Sequence, residues 1–310
     1  LRNSGDLLLT PQDVIDYEPH IVLSATNIVP DFFPGIKVQI FHGFSINKRA
    51  AEKGHFRVRG FFDLYCTQGP STTIPFQNIA NELGYFEAVE TGWPKVDPLF
   101  PVIPTQNQRP CILVSSTFTP KLSLAHSDAF IAELKRLMER DNFDWMITMH
   151  PLMDKDRANK FRALENTNVK FKDTTDLIPL FKQADLMIAD TTSAIAEFLL
   201  QAKPVVTFNN NKPDNHLIDI HEPEQLEAAI QKGLAHPEDL INHIKQFIAE
   251  THPYDDGQSS ARVIDACLVF LRKDKQHLKR KPFNILRKLK IRQKYKLFSF
   301  RSYNKPITVK

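Results

Sequence analysis

The chain has 310 residues, of which 42% are hydrophobic and 25% are charged. This composition is typical of a globular protein and excludes a disordered or fibrous chain, and the length allows about two domains.

No apolar run approaches the ~18 residues of a transmembrane helix. The scattered Cys66, Cys111 and Cys267 exclude a C-x-x-C zinc or disulfide framework and favour a reducing compartment. Because the sequence starts at Leu1, without methionine or signal peptide, we expect it to begin inside a longer protein.

The net charge of +4 conceals an uneven distribution along the chain. Residues 271–310 contain 15 Lys or Arg and one acid, whereas residues 1–270 carry a net charge of −10. The body is therefore acidic, and we expect the C-terminal segment to be the part attracted to a polyanion.

The first hundred residues predict a parallel α/β domain. Short apolar runs predict strands at residues 20–26, 37–43, 62–69 and 86–93, and a helix is expected at residues 75–84. Residues 94–109 contain four prolines and are predicted to form an interdomain linker.

From residue 109 onward, strands and helices alternate regularly. Strands are predicted at residues 111–118, 143–150, 169–173, 186–190 and 204–209, and helices at 127–140, 155–165, 176–184, 193–201, 222–235, 238–251 and 259–272. The pattern predicts a second Rossmann-like domain. We therefore expect an α/β fold of the GT-B type, with two parallel sheets facing across a cleft. The predicted domains are residues 1–104, truncated at the start, residues 105–270, and a basic tail over residues 271–310.

The tail alternates Lys and Arg with apolar residues between positions 273 and 300. This pattern favours an amphipathic segment lying on an anionic membrane surface, where each basic residue contributes about 1 kcal/mol. RNA binding and a solvated, poorly ordered tail are the alternatives.

Four polar clusters occupy positions where α/β proteins bind ligands, at the carboxyl ends of strands or the starts of helices. They are Phe41-His42-Gly43 with Lys48, Met149-His150-Pro151, Asp190-Thr191-Thr192-Ser193, and Asp255-Asp256-Gly257-Gln258-Ser259-Ser260-Ala261-Arg262. Each cluster also has a structural interpretation: the histidines could be ordinary structural residues, and the hydroxyls could cap helices, with Ser259 or Ser260 capping the last one. Asp154 and Asp156 match a D-x-D metal motif, but we expect them to cap a helix. No P-loop, G-x-G-x-x-G, G-x-S-x-G or H-E-x-x-H motif occurs.

Taken in order, these motifs resemble the CDP-glycerol glycerophosphotransferase family, which includes teichoic-acid-type polymerases and primases. The family's W-H-G, G-Y/W-P-R-x-D, H-P, A-D-x-x-I-T-D-Y-S-S, K-P-V and D-G-x-S-x-R patterns are matched by residues 41–43, 92–97, 150–151, 184–193, 203–205 and 256–262. The chain departs from them with Phe41 in place of Trp, Lys95 in place of Arg, and Thr191-Thr192 in place of Tyr-Ser.

The resemblance implies transfer of glycerol phosphate, or a related polyol phosphate, from CDP-glycerol to a hydroxyl of a cell-surface polymer or lipid-linked acceptor, releasing CMP. It implies His42 as the general base, with Gly43 and Lys48 on the acceptor side, and His150 with the donor diphosphate. The remaining donor-binding residues are expected to be Asp190, Thr191, Thr192, Ser193, Asp256, Gly257, Ser259 and Arg262. The resemblance implies CDP-glycerol as the donor substrate. No cofactor and no metal ligand is assigned, and the need for a divalent metal is left open.

The expected location is cytoplasmic, peripheral to the inner face of the cell membrane, with no specific nucleic-acid partner. Two other functions fit the same architecture: a GT-B glycosyltransferase using a UDP- or GDP-sugar, and a catalytically silent nucleotide-binding module. The T-x-H-R-x-E-N signature of UDP-N-acetylglucosamine 2-epimerases is not found after Val114.

Overall fold

The computed structural model describes residues 5–44 and 54–308. The described chain divides into two compact units. Unit 1 consists of residues 5–43, 54–94 and 258–308, and unit 2 of residues 44 and 95–257. Each unit is built on its own sheet of parallel strands.

The helices and strands largely fall where the sequence pattern predicts them. The strands are β1 (Ile21–Ser24), β2 (Ile36–Gln39), β3 (Leu64–Thr67), β4 (Glu87–Glu90), β5 (Cys111–Ser116), β6 (Asp144–Met149), β7 (Val169–Phe171), β8 (Leu186–Ala189), β9 (Val205–Phe208) and β10 (Ile218–Ile220). The helices are α1 (Pro11–Tyr17), α2 (Pro70–Leu83), α3 (Asp128–Met138), α4 (Lys155–Arg162), α5 (Ile178–Gln183), α6 (Ala194–Leu199), α7 (Leu226–Leu234), α8 (Glu238–Thr251), α9 (Ser259–Arg272) and α10 (Ile285–Tyr295).

The sheet of unit 1 has the described strand order β1-β2-β3-β4, all parallel. Alternate residues of a strand point to opposite faces, so each face has its own core. Leu64 and Cys66 of β3 pack with residues of α9 on one face, whereas Tyr65 packs on the other face with Phe76 of α2. The carboxyl edge of this sheet carries His42.

The sheet of unit 2 has the described order β10-β9-β8-β5-β6-β7, again with parallel pairing. Its central strands are buried throughout, as the continuous apolar runs in the sequence predict. Strand β5 lies between β6 and β8, so the strand order reverses on either side of it. In α/β sheets, ligands bind outside the carboxyl ends of strands at such a reversal.

The predicted fold class, two Rossmann-like α/β parts with parallel sheets, is confirmed, but the predicted domain boundaries differ from the observed units. Helix α9 was expected to close the second domain, and this is wrong. Its buried residues Val263, Cys267 and Phe270 pack on β2 and β3 of unit 1. The expected linker at residues 94–109 begins as a 3-10 helix, Pro94–Leu99, with Val96 and Leu99 buried.

Helix α2 begins at Pro70, five residues before the predicted start. Proline is favoured in the first turn of a helix, and Pro70 occupies that turn, whereas Pro75 lies inside the helix. The Oγ1 atoms of Thr72 and Thr73 donate hydrogen bonds to the Gly69 carbonyl oxygen. Within the described ranges, no helix is both long and apolar enough to cross a bilayer.

Candidate active site

His42 follows β2 at the carboxyl edge of the unit 1 sheet, and the residue before it is held in an unusual conformation. Phe41 has φ +59°, a left-handed geometry that a non-glycine residue rarely adopts. The Trp93 indole Nε1 donates a hydrogen bond to the Phe41 carbonyl oxygen (3.3 Å). The buried Phe41 ring stacks on the His55 ring, with centroids 4.8 Å apart. Trp93 and His55 thus hold Phe41, the residue before His42, in place.

The hydrogen bond of the His42 ring fixes which of its nitrogens can accept a proton. Nδ1 lies 3.2 Å from the Ala25 carbonyl oxygen, and because a carbonyl has no hydrogen to give, Nδ1 must be the donor. In the neutral imidazole, Nε2 then carries the lone pair. The His42 side chain is exposed, so this arrangement suits a general base.

Two more of the predicted acceptor-side positions have different outcomes. The Gly43 carbonyl oxygen accepts a hydrogen bond from Gln68 Nε2 (2.9 Å), and a Cβ built on Gly43 would meet no atom within 4 Å. There is therefore space beside this backbone. Lys48 lies outside the described residues.

His55 is a neighbour of His42 that the sequence pattern did not suggest. Burial lowers the pKa of His55 to about 4, and the nearby His42 acts in the same direction. His55 is therefore neutral at pH 7, and it places an uncharged ring against Phe41.

In unit 2, Asp190 ties together the loops at the reversal of strand order. It is fully buried at the end of β8. Its carboxylate accepts hydrogen bonds from Ser116 Oγ (2.6 Å) and from the backbone N–H groups of Thr117 (3.1 Å) and Leu124 (3.1 Å). Asp190 thus fixes the loop after β5. Its predicted role as a direct donor ligand stays a prediction.

His150 follows β6 and borders the same loop. Its ring lies 4.5 Å from the Phe118 ring, centroid to centroid, and its Nδ1 accepts a hydrogen bond from the Leu152 backbone N–H (3.1 Å). Because Nδ1 is the acceptor, the proton of the neutral ring is on Nε2. His42 and His150 are therefore opposite tautomers. Nε2 of His42 carries a lone pair that can accept a proton, and Nε2 of His150 carries a hydrogen that it can donate.

The three hydroxyl residues after Asp190 have individual roles. The Thr191 Oγ1 is buried and accepts from the Asn211 backbone N–H (3.1 Å). The Thr192 Oγ1 accepts from the Ala194 N–H at 3.4 Å. Ser193 is the cap residue of α6, but its side chain makes no capping hydrogen bond.

Lys95 connects a distant segment to this part of unit 2. Its ammonium group lies 2.8 Å from Oε1 of Glu197, a buried residue of α6. Burial raises the pKa of Glu197, and Lys95 opposes that effect. The ion pair fixes α6 against the 3-10 helix that starts at Pro94.

The D-G-x-S-x-R motif spans the boundary between the units: Asp256 and Gly257 belong to unit 2, and Ser259 and Arg262 to unit 1. Gly257 has φ +66°, and a Cβ there would lie 2.9 Å from the Asp97 carbonyl oxygen, so the position requires glycine. We expected Ser259 or Ser260 to cap α9, and this is wrong. The turn at Gly257 lets α9 start at Ser259, which places Gln258 at the cap.

Two further features complete the carboxyl edge of unit 2. Asp154 accepts hydrogen bonds from the backbone N–H groups of Asp156 and Arg157, so the capping predicted for the D-x-D motif is confirmed.

A cavity of about 230 Å³ lies between the loop after β5 and the end of β9, and Lys121, Ser123, His126 and Asn209 contribute polar groups to its lining.

Sequence reasoning overlooked residues that position the predicted site residues within each unit. The sequence pattern places Ser116, Thr117 and Phe118 in a predicted strand, and Trp93 in the predicted strand 86–93 and in the 92–97 motif. Polar residues ending an apolar strand were the available signal for the first three. For the partners of Trp93 and Lys95, which lie 52 and 102 residues away, the sequence held no local signal.

Comparison with known proteins shows which family this chain is similar to. The family model for CDP-glycerol:poly(glycerophosphate) glycerophosphotransferase matches residues 80–214, which confirms the resemblance predicted from the motifs. The chain is 25% identical over 220 residues to the teichoic acid ribitol-phosphate polymerase TarK of Staphylococcus aureus, covering 62% of this chain. It spans 43% of the length of that relative.

Solved structures show the same fold. The wall teichoic acid polymerase TagF superimposes with a TM-score of 0.60 at 15% identity, covering 80% of this chain and 72% of that one. A TagF crystal soaked with CDPG gives a TM-score of 0.56 at 15% identity, covering 80% and 71%. A Listeria monocytogenes protein described as a UDP-N-acetylglucosamine 2-epimerase gives 0.58 at 15% identity, covering 85% and 77%. The predicted GT-B type of fold is confirmed.

Proposed function

We propose that the protein transfers glycerol phosphate, or a related polyol phosphate, from CDP-glycerol to an acceptor hydroxyl and releases CMP. The observation that carries the proposal is the pair of opposite histidine tautomers, because the reaction needs one group to take a proton and another to donate a hydrogen bond to phosphate. His42, with its acceptor at Nε2, serves as the base, and His150, with its donor at Nε2, binds the donor diphosphate.

The proposed step is one displacement at phosphorus. The acceptor hydroxyl oxygen forms a bond to the phosphorus that carries the polyol, and the bond from that phosphorus to the oxygen bridging to CMP breaks. The hydroxyl proton passes to Nε2 of His42, and CMP leaves with the bridging oxygen and its electron pair.

Unit 2 is proposed to supply most of the donor contacts. Thr192 and Ser193 follow Asp190 in the chain, and the hydrogen bonds of Asp190 fix the loop after β5. Hydroxyls and N–H groups fixed in place before the reaction stabilise phosphate charge without having to reorganise. We include Thr191, Asp256 and Gly257 in the donor-binding set, with Ser259 and Arg262 supplied by unit 1. The Arg262 guanidinium would add positive charge.

The acceptor is proposed to be a lipid-linked or polysaccharide molecule at the inner face of the cell membrane, with which the protein associates peripherally through residues 271–310. Support comes from the charge of that segment, 15 basic residues and one acid. Gly43 and Lys48 are proposed acceptor-side residues. TarK is a ribitol-phosphate polymerase and TagF was soaked with CDPG, so both glycerol and ribitol donors belong in the test.

The proposal is tested with a donor panel: CDP-glycerol, CDP-ribitol, UDP-sugars and GDP-sugars, each with a soluble poly(glycerol phosphate) acceptor. We expect CMP release from a CDP-polyol that depends on the acceptor. Turnover of only a UDP- or GDP-sugar would make the protein a glycosyltransferase. Thermal stabilisation by nucleotide without CMP release would make it a binding module. Either result overturns the proposal.

A further inference from the structure

Helix α10 packs on unit 1 with two of its basic residues buried. Its buried residues are Lys288, Ile291 and Arg292. The Arg292 guanidinium forms two contacts to the buried Asp31 carboxylate, at 2.7 and 3.2 Å, and Lys288 Nζ lies 3.6 Å from it. Ser302 Oγ donates a third hydrogen bond to Asp31 (2.6 Å). A surface helix normally turns its apolar stripe inward, whereas α10 buries Lys288 and Arg292 beside Ile291 and leaves most of its apolar residues exposed.

A second buried ion pair fastens the chain just before α10. Lys281 Nζ lies 2.7 Å from Oδ1 of the fully buried Asp63 and donates to the Phe61 carbonyl oxygen (3.0 Å). Asn284 Nδ2 donates to the Arg59 carbonyl oxygen (2.8 Å). The orientation of this segment is therefore fixed at several points, and the alternative of a poorly ordered tail is wrong for these described residues.

The outward surface of the same segment, residues 279–301, is apolar and basic. Phe283 and Leu286 are 78% and 76% exposed. The other exposed apolar side chains are Ile285, Leu289, Phe298 and Phe300. Exposed basic residues surround them: Lys279, Arg280, Arg287, Lys290, Lys294, Lys296 and Arg301. No Asp or Glu occurs after Asp274.

We infer that residues 279–301 form a preformed docking surface for an anionic lipid leaflet, in which the outward Phe, Leu and Ile side chains enter the lipid and the surrounding Lys and Arg contact headgroups. The inference rests on the proposed membrane location and adds which residues make the contact. Charge complementarity selects an anionic occupant, and the aliphatic side chains select lipid over nucleic acid, since Leu and Ile have no partner on a phosphate backbone. Each basic residue near an anionic leaflet adds about fivefold to binding.

The docking surface is separate from the candidate site within unit 1. It is attached to the amino edge of the sheet, through Asp63 just before β3 and through Gly84 before β4, whose carbonyl oxygen accepts from the Lys279 N–H. His42 is at the opposite, carboxyl edge. The length of a strand such as β3 separates the two edges, roughly 16 Å from Asp63 to Gln68 at about 3.3 Å per residue.

The test is sedimentation of the full chain with liposomes of phosphatidylglycerol and phosphatidylcholine, against phosphatidylcholine alone. We expect the double variant Leu286→Glu/Leu289→Glu to lower binding to anionic liposomes at least tenfold. A second variant, Arg287→Glu/Lys290→Glu, should do the same. The matched control is Ile74→Glu, which changes a residue of α2 that is 58% exposed and should bind like the parent.

The outcomes separate this inference from the proposed function. Liposome binding is measured without donor or acceptor, and CMP release with a soluble acceptor should be the same in parent and variants. Parental liposome binding by both double variants overturns the inference. So does tighter binding of RNA than of anionic liposomes, or a dimer that the same variants dissociate. Absence of CMP release from the parent would overturn the proposed function alone.

Discussion

The Trp93 indole Nε1 donates a hydrogen bond to the carbonyl oxygen of Phe41, 3.3 Å away. This bond holds the peptide that leads into His42. Phe41 has φ +59°, a conformation that costs about 1–3 kcal/mol for a non-glycine residue. Trp93→Phe keeps a ring but removes the donor. We expect kcat to fall about tenfold with the donor Kd unchanged, because His42 loses its orientation while the donor contacts persist.

The matched control is Trp145→Phe. The Trp145 indole nitrogen is buried with no hydrogen-bond partner among the described residues, so this change removes a ring N–H without breaking a bond. Equal transfer rates in Trp93→Phe and Trp145→Phe would show that the bond to Phe41 does not position His42.

Asp190→Asn should disturb the loop after β5. Oδ2 of the carboxylate accepts from Ser116 Oγ and from the N–H groups of Thr117 and Leu124, and Oδ1 accepts from Thr117 as well. An amide loses the negative charge that strengthens these bonds, and if its oxygen takes the place of Oδ2, its NH2 group faces the Thr117 N–H. We expect a loss of about 2–3 kcal/mol in the free energy of unfolding and weaker donor binding, measured by urea unfolding and nucleotide titration. Asp239→Asn, an exposed acid of α8, is the control. Parental stability and affinity in Asp190→Asn would contradict the anchoring role.

The ion pair between the exposed Lys95 and the buried Glu197 predicts a rescue. Lys95→Met leaves the buried Glu197 carboxylate without its cation, and we expect a loss of about 2–3 kcal/mol in unfolding free energy. The double variant Lys95→Met/Glu197→Gln removes the charge as well and should recover most of that loss. Chemical unfolding measures both variants. A double variant no more stable than the single one would show that the charge is not the cause.

His55 predicts a pH dependence of stability. Its folded pKa, lowered to about 4, is below the unfolded value of about 6.5, so the unfolded chain binds more protons between those values. Its contribution to the unfolding free energy is constant above pH ~6.5 and decreases as the pH falls toward 4. His55→Phe keeps a ring against Phe41 but does not titrate, so its stability should fall less over this window. Parallel pH profiles for variant and parent would contradict this prediction.

Much of the fold could be predicted because it depends on local patterns. Buried runs such as Cys111–Ser116 and Val205–Phe208 lie within the predicted strands, since central parallel strands are apolar on both faces. The N-terminal end of α2 was misplaced because Pro75 carries the local signal of a helix start, whereas the true start depends on Gly69 and two threonines. The packing of α9 on unit 1 could not be predicted, because it depends on contacts with β2 and β3, some 200 residues earlier.

The candidate site was predicted in part. His42, His150 and residues 190–193 could be located because they follow apolar strands. The hydrogen bonds that set the two histidine tautomers, to Ala25 and Leu152, could not be predicted, since they depend on loop geometry. The burial of Lys288 and Arg292 of α10 could not be predicted either, because their partner Asp31 lies 261 residues from Arg292. An amphipathic pattern identifies two faces but does not say which one is buried.

The most direct test of the account compares His42→Gln with His150→Gln in two assays, calorimetric titration with CDP-glycerol and acceptor-dependent CMP release. His42→Gln should lower the transfer rate about 10²–10⁴-fold and leave the donor Kd within twofold of the parent. His150→Gln should weaken donor binding about tenfold or more, since it removes a hydrogen bond to a charged group. His20→Gln, an exposed histidine before β1, should behave as the parent in both assays. If His42→Gln keeps the parental rate, or if the two variants exchange these effects, the assignment of base and donor-binding histidine is wrong.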